Sequence, residues 1–167
     1  MTEYRHIFSV HRDKVQYYWQ SLAMHDTLKY RLSVFPDPSW DDVLSVIREN
    51  GEHMYMAMKG DSPVAEFSLD GFTGKAAQIH FSTHPDQSWK DTIKQGKEVC
   101  NLLMDTWKDE HGKPFLQSLY ANIAVSNRAS CITALRMGFK KIGTLKGGMF
   151  IARHNRYEDG TLLVRTL

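Results

Sequence analysis

Very little in this sequence points outward. No apolar run approaches the roughly 18 residues that a membrane-spanning helix needs. Charge of neither sign dominates: 21 Lys and Arg stand against 19 Asp and Glu, so nothing announces a nucleic-acid partner. There are only two cysteines, Cys100 and Cys131, and they fall inside separate helical patterns. That excludes a disulfide framework and a zinc cluster, and suggests free thiols in a reducing compartment. The N-terminal stretch "MTEYRHIFSVHRDK" carries Glu3, Arg5, Arg12 and Asp13 and lacks the apolar core of a secretory signal, so an intracellular, cytoplasmic location is expected. His80 and His84 sit four apart on an expected strand, roughly 13 Å from each other at ~3.3 Å per residue, too far to share a metal. No repeat, low-complexity segment, interdomain linker or Ser/His/Asp set is visible.

What is present describes a globular chain. With 167 residues, 42% hydrophobic and 24% charged, one domain spanning 1–167 with a single sizeable core is expected. Residues 4–10, "YRHIFSV", alternate as a strand does. In 12–26, Val15, Trp19 (or Tyr18) and Leu22 share a helical face. A loop follows over 27–39. Ser39 and Asp42 form a capping-box pattern ahead of a helix with Val43, Leu44 and Ile47 on its apolar side and Gly51 as its stop. The period then changes: 53–59 and 64–69 flank the turn "GDSP" as a hairpin, and 75–84 is another strand. From Trp89 to Asp109 the helical period returns, through Gly96, Cys100, Leu103, Met104 and Trp107. A strand at 115–125, a helix at 127–137 and a strand from Phe139 complete the pattern. Gly147-Gly148 should bend or bulge that strand, and Asp159-Gly160 reads as a hairpin turn before the last one. The order β-α-α-β-β-β-α-β-α-β-β implies a mixed sheet.

One stretch is more particular. "SNRASCITALRMGF" (126–139) opens a helix with Asn127, carries Ala129 and Ser130, and closes on Gly138-Phe139 straight after the strand "LYANIAV". With the element order, this resembles the GNAT superfamily of N-acetyltransferases. The resemblance implies an α/β (α+β) fold with a central twisted sheet of about seven strands flanked by about four helices. It also implies acetyl-CoA lying between splayed parallel strands, its pantetheine arm pairing like an added strand and its pyrophosphate on the N-terminus of the helix from Trp89.

The same resemblance shows where this chain departs from the family pattern. The family loop before that helix is similar to Q/R-x-x-G-x-G/A, glycines allowing the backbone to approach phosphate. Here, counting from Gln87, those positions hold Lys90 and Thr92, while Lys90 and Lys94 offer compensating charge. The cofactor contacts implied are Gln87, Lys90, Thr92 and Asn127. Acetyl transfer needs a base to free the amine and an acid to protonate the departing thiolate. The family's acid position, a tyrosine seven residues after the asparagine, is Ala134 in this chain. Glu66 and His80 are the candidate bases and Tyr120 the available acid.

Two functions follow from the resemblance. The "IHFSTHP" strand and the helix from Asn127 to Gly138-Phe139 look similar to those of degenerate GNAT-like proteins of tailed bacteriophages that act in head assembly or genome delivery from the virion. They imply a non-catalytic protein with phage structural partners in the host cytoplasm or virion. The alternative is an atypical N-acetyltransferase acting on a small or protein amine. Acetyl-CoA binding is expected to be weak or absent, and no metal is expected.

Overall fold

A computed structural model describes residues 2–25 and 28–167; Asp26 and Thr27, where the first helix was expected to end and its loop to begin, lie outside the described residues. Seven strands form one sheet in the order β1-β2-β3-β4-β5-β7-β6. They are β1 (Thr2–His6), β2 (Met54–Lys59), β3 (Ser62–Thr73), β4 (Ala76–Thr83), β5 (Ser118–Ala124), β6 (Lys140–Ile151) and β7 (Arg156–Thr166). The helices are α1 (Arg12–Met24), the single turn α2 (Leu28–Arg31), α3 (Trp40–Asn50), α4 (Trp89–Asn101) and α5 (Arg128–Arg136). Backbone contacts divide the chain into two compact units, one of residues 1–69, 80–87 and 150–156 and one of 70–79, 88–149 and 157–167.

In the first unit, β1 pairs antiparallel with β2, and β2 with β3, with a bulge between Ala57 and Met58. Strand periodicity sends Met54, Met56 and Met58 to one face, where they join Tyr18, Trp19 and Leu22 of α1 and Val43 and Ile47 of α3 in a buried cluster. Methionine suits such a site because its flexible thioether fills irregular gaps between helices. Ser39 caps α3 as its pattern predicts: its hydroxyl accepts from the Asp42 N–H, and the Asp42 carboxylate accepts from the Ser39 N–H.

The second unit places β5 between two partners. It runs parallel to β4 over Ala76–Gln78 against Ser118–Tyr120, and antiparallel to β7 along its whole length. Val99, Cys100, Leu103, Met104, Leu119 and Leu163 are buried here. Helix α4 passes into a π-turn over Leu102–Thr106 and stops when Trp107 turns extended. The Trp107 N–H bonds to the Leu102 carbonyl, one residue beyond α-helical spacing, so the helix ends earlier than its apolar period suggests.

Three sequence expectations are corrected. The first strand is Thr2–His6, and Ile7–Ser9 form a 3-10 turn rather than its continuation. The segment read as loop contains the turn α2. Gly51 follows the last residue of α3 as the stop it was expected to be; it is right-handed, and its lack of a Cβ leaves room for the Phe8 ring. Asp159-Gly160 is not a turn but lies inside β7, and the reversal comes at Asn155, at φ 45°. Gly160 is required for a different reason, since a Cβ there would collide with the side-chain amide of Asn122. No described helix is long and apolar enough to cross a membrane.

Candidate functional site

Glu66 of β3 is fully buried, and its carboxylate accepts three side-chain hydrogen bonds. Arg31 grips it from two nitrogens, Nε to Oε2 at 3.0 Å and Nη2 to Oε1 at 2.8 Å. The same guanidinium donates to Ser68 Oγ at 2.7 Å and lies over the Trp19 ring. Ser82 donates to Glu66 Oε2 at 3.1 Å, and its hydroxyl also bonds the Tyr18 phenol at 2.9 Å. Burial first, and the Glu66 charge second, push the Tyr18 phenol far above its ordinary range, so it stays protonated and donates along the chain toward Glu66. Fully buried, this carboxylate meets a substrate amine only if its surroundings move. This network was not visible in the sequence because Arg31 falls in the stretch that reads as loop.

Two histidines follow on β4 and the turn after it. His80 is partly exposed. His84 is buried; its Nδ1 accepts from the Asp86 N–H at 3.3 Å, its ring stacks on Tyr17, and its Nε2 has no hydrogen-bond partner among the described residues. His84 Nε2 is therefore a further candidate, considered in the sequence only as a metal ligand. The described residues contain no group of metal-ligating side chains. Gln87, an expected cofactor contact, closes a turn through its N–H to the His84 carbonyl.

In the second unit, Ser88 caps α4. Its hydroxyl accepts from the Asp91 N–H at 3.2 Å and donates to Asp91 Oδ2 at 2.6 Å, so an acidic side chain of the protein already sits in the first turn. Lys90 is exposed, Thr92 is half-buried with its N–H on the Ser88 carbonyl, and Trp89 bonds Thr133 through Nε1. Asn127 caps α5 by accepting the Ser130 N–H at 3.2 Å. At the other end Gly138 has φ 100°, its N–H reaches the Leu135 carbonyl, and the Phe139 N–H reaches Ala134. These are the two bonds of a Schellman motif, so Asn127 and Gly-Phe mark the two ends of one helix. Ala134 packs inward and Cys131 is half-buried, whereas Leu135 is 47% exposed and Met137 packs against Gly96. Tyr120 donates its phenol proton to the Gly71 carbonyl at 2.7 Å. Gly71 has φ 54° and could not carry a Cβ beside that phenol.

This arrangement has solved relatives. An acetyltransferase from Salmonella typhimurium that modifies the N-terminal serine of ribosomal protein L7/L12 is 17% identical, with a TM-score of 0.77 over 99% of this chain and 95% of that one. A GNAT-family acetyltransferase from Bacillus anthracis is 12% identical, with a TM-score of 0.75 over 99% and 94%. The spermidine N-acetyltransferase of Vibrio cholerae, solved with CoA and spermine, is 14% identical, with a TM-score of 0.72 over 99% and 95%. The fold is that of the GNAT N-acetyltransferases. No family model matches the sequence, and no curated protein matches it either. At these identities the GNAT likeness is one of fold, and the chemistry has to be argued from this chain's own side chains.

Proposed function

We propose that this chain is an atypical N-acetyltransferase that takes acetyl-CoA and an amine. The observation that carries this reading is the extent of the likeness: 99% of the chain follows the fold of enzymes that acetylate a polyamine or a protein N-terminus. The cofactor's phosphates would meet the N-terminus of α4, where Lys90 and Lys94 supply positive charge and the helix dipole favours an anion. Asp91 opposes them there, so the cofactor is held weakly. In the reaction the neutral amine attacks the thioester carbonyl, the tetrahedral intermediate collapses, and the CoA thiolate leaves with a proton. Among the expected bases His80 is preferred, because Glu66 is closed by Arg31 and Ser82. Tyr120 serves as acid only on exchanging its bond to Gly71 for one to the leaving thiolate.

One observation favours a second reading, a GNAT fold that has left catalysis for a binding role such as bacteriophage head or virion assembly. The family's acid position holds the buried methyl of Ala134, and the buried carboxylate is locked in an ion pair. None of the structural relatives named above is a phage protein, so the phage partner rests on sequence resemblance alone. Mass spectrometry of a panel of polyamines and peptide N-termini, incubated with millimolar acetyl-CoA, separates the two. An acetylated product whose formation falls on His80→Ala supports the enzyme; no product from any amine, with the protein folded, supports the second reading.

A further inference from the structure

The outer side of α5 is not covered. Ile132 and Leu135 are 50% and 47% exposed, and with Leu163 of β7 they wall a cleft of about 380 Å³. That volume lies within the range of small-molecule sites, which are mostly apolar with a few placed polar groups. The polar groups here share one character. Arg128 and Lys141 stand at the rim without a hydrogen bond or ion pair to any described residue. The hydroxyl of Thr161, a residue 8% exposed, lines the same cleft and is likewise unpartnered among the described residues. No carboxylate lines it.

Apolar walls under two unpaired cations suit one kind of occupant. We propose that this cleft binds a small anionic amphiphile, a carboxylate on a medium-length alkyl chain. The alkyl chain would lie against Val125, Ile132 and Leu135, and the carboxylate would accept from Arg128, Lys141 and Thr161. An alkyl chain gains from leaving water for such a wall, and a carboxylate answers the cations that the protein leaves unanswered. A second copy of the chain is the poorer occupant, because the cleft's lining offers two cations and no carboxylate, so copies meeting through it would bring no opposite charge to pair with them. The site is separate from the proposed acetyl-transfer residues, and its test does not depend on turnover.

Cys131 lines the cleft and supplies the readout. The other thiol, Cys100, is fully buried, so N-ethylmaleimide should alkylate Cys131 alone, as intact mass would show. Decanoate, kept below its critical micelle concentration, should slow that alkylation saturably, and decanol should do so less well. Arg128→Ala and Lys141→Ala lie on the surface and leave the fold intact. Each should raise the half-protecting decanoate concentration about two- to fivefold, as expected for an exposed charge pair. Protection that is absent, equal for decanol, or unchanged in the double variant would overturn the proposal. A dimer in sedimentation that dissociates on Leu135→Glu would overturn it in favour of a second copy.

Discussion

Arg31 and Glu66 form a two-pronged ion pair in which the carboxylate is fully buried and the guanidinium side chain is only 11% exposed. Such pairs contribute little relative to an apolar replacement, but losing one partner strands a charge in low dielectric. Arg31→Met should therefore cost about 3–5 kcal/mol in urea unfolding, and the double variant Arg31→Met/Glu66→Leu should recover much of that. A loss below about 1 kcal/mol, the value of an exposed pair, would mean that water reaches Glu66.

Alkaline pH should unfold the protein through Cys100 and Tyr18. Burial pushes the Cys100 thiol up to about 11 from an ordinary 9.0, and burial raises Tyr18 further from 10.0. A raised folded pKa means that the unfolded chain releases its proton first. The stabilisation is whole below pH 9 and is lost progressively above it, first through Cys100 and then through Tyr18. Cys100→Ala should flatten the fall that begins near pH 9.0, and Tyr18→Phe the part that begins near pH 10.0. Equal slopes in wild type and both variants would contradict this.

The ends of α5 can be tested separately. Asn127→Ala should cost roughly 0.5–2 kcal/mol and Asn127→Gly only a few tenths, because glycine tolerates the cap position. Gly138→Ala should cost about 1–2 kcal/mol, the penalty of a Cβ in the left-handed region. Equal large losses for both Asn127 variants would show a role beyond capping, and calorimetric unfolding reads all three.

Gly160 and Asn122 should behave as one unit. Asn122 also donates to the Gly148 carbonyl at 3.1 Å, so its amide sits over β7 and fixes β6. Gly160→Ala forces that amide aside and should cost about 1–3 kcal/mol, the usual range for overpacking. In a double-mutant cycle, Asn122→Ala should relieve a large part of the Gly160→Ala loss. Additive losses would mean that the backbone, not the amide, resists the methyl.

These contrasts explain what was legible in the sequence. The seven strands, the four longer helices and both ends of α5 could be read, because period, caps and a left-handed glycine are local chemistry. Asp159-Gly160 misled for the opposite reason: its glycine answers a side chain from the neighbouring strand, and local turn propensity cannot report that contact. The site was half legible. Glu66, His80 and Tyr120 stood out by type, but what holds Glu66 and Tyr120 depends on Arg31, Ser82 and Gly71, all remote in sequence or in a stretch without period. The buried His84 was hidden because alternation on a strand does not distinguish a covered imidazole from an exposed one.

The most direct test is a calorimetric titration of acetyl-CoA, whose phosphates are proposed to meet the first turn of α4, against Asp91. Binding should be weak, tighten in Asp91→Asn, which keeps a Ser88 partner and removes the charge, and fall in Lys90→Glu. At 100 times its dissociation constant the cofactor should stabilise the fold by about 2.7 kcal/mol. No heat in wild type or Asp91→Asn would contradict acetyl-CoA as the ligand, and binding indifferent to both charges would contradict its placement at α4.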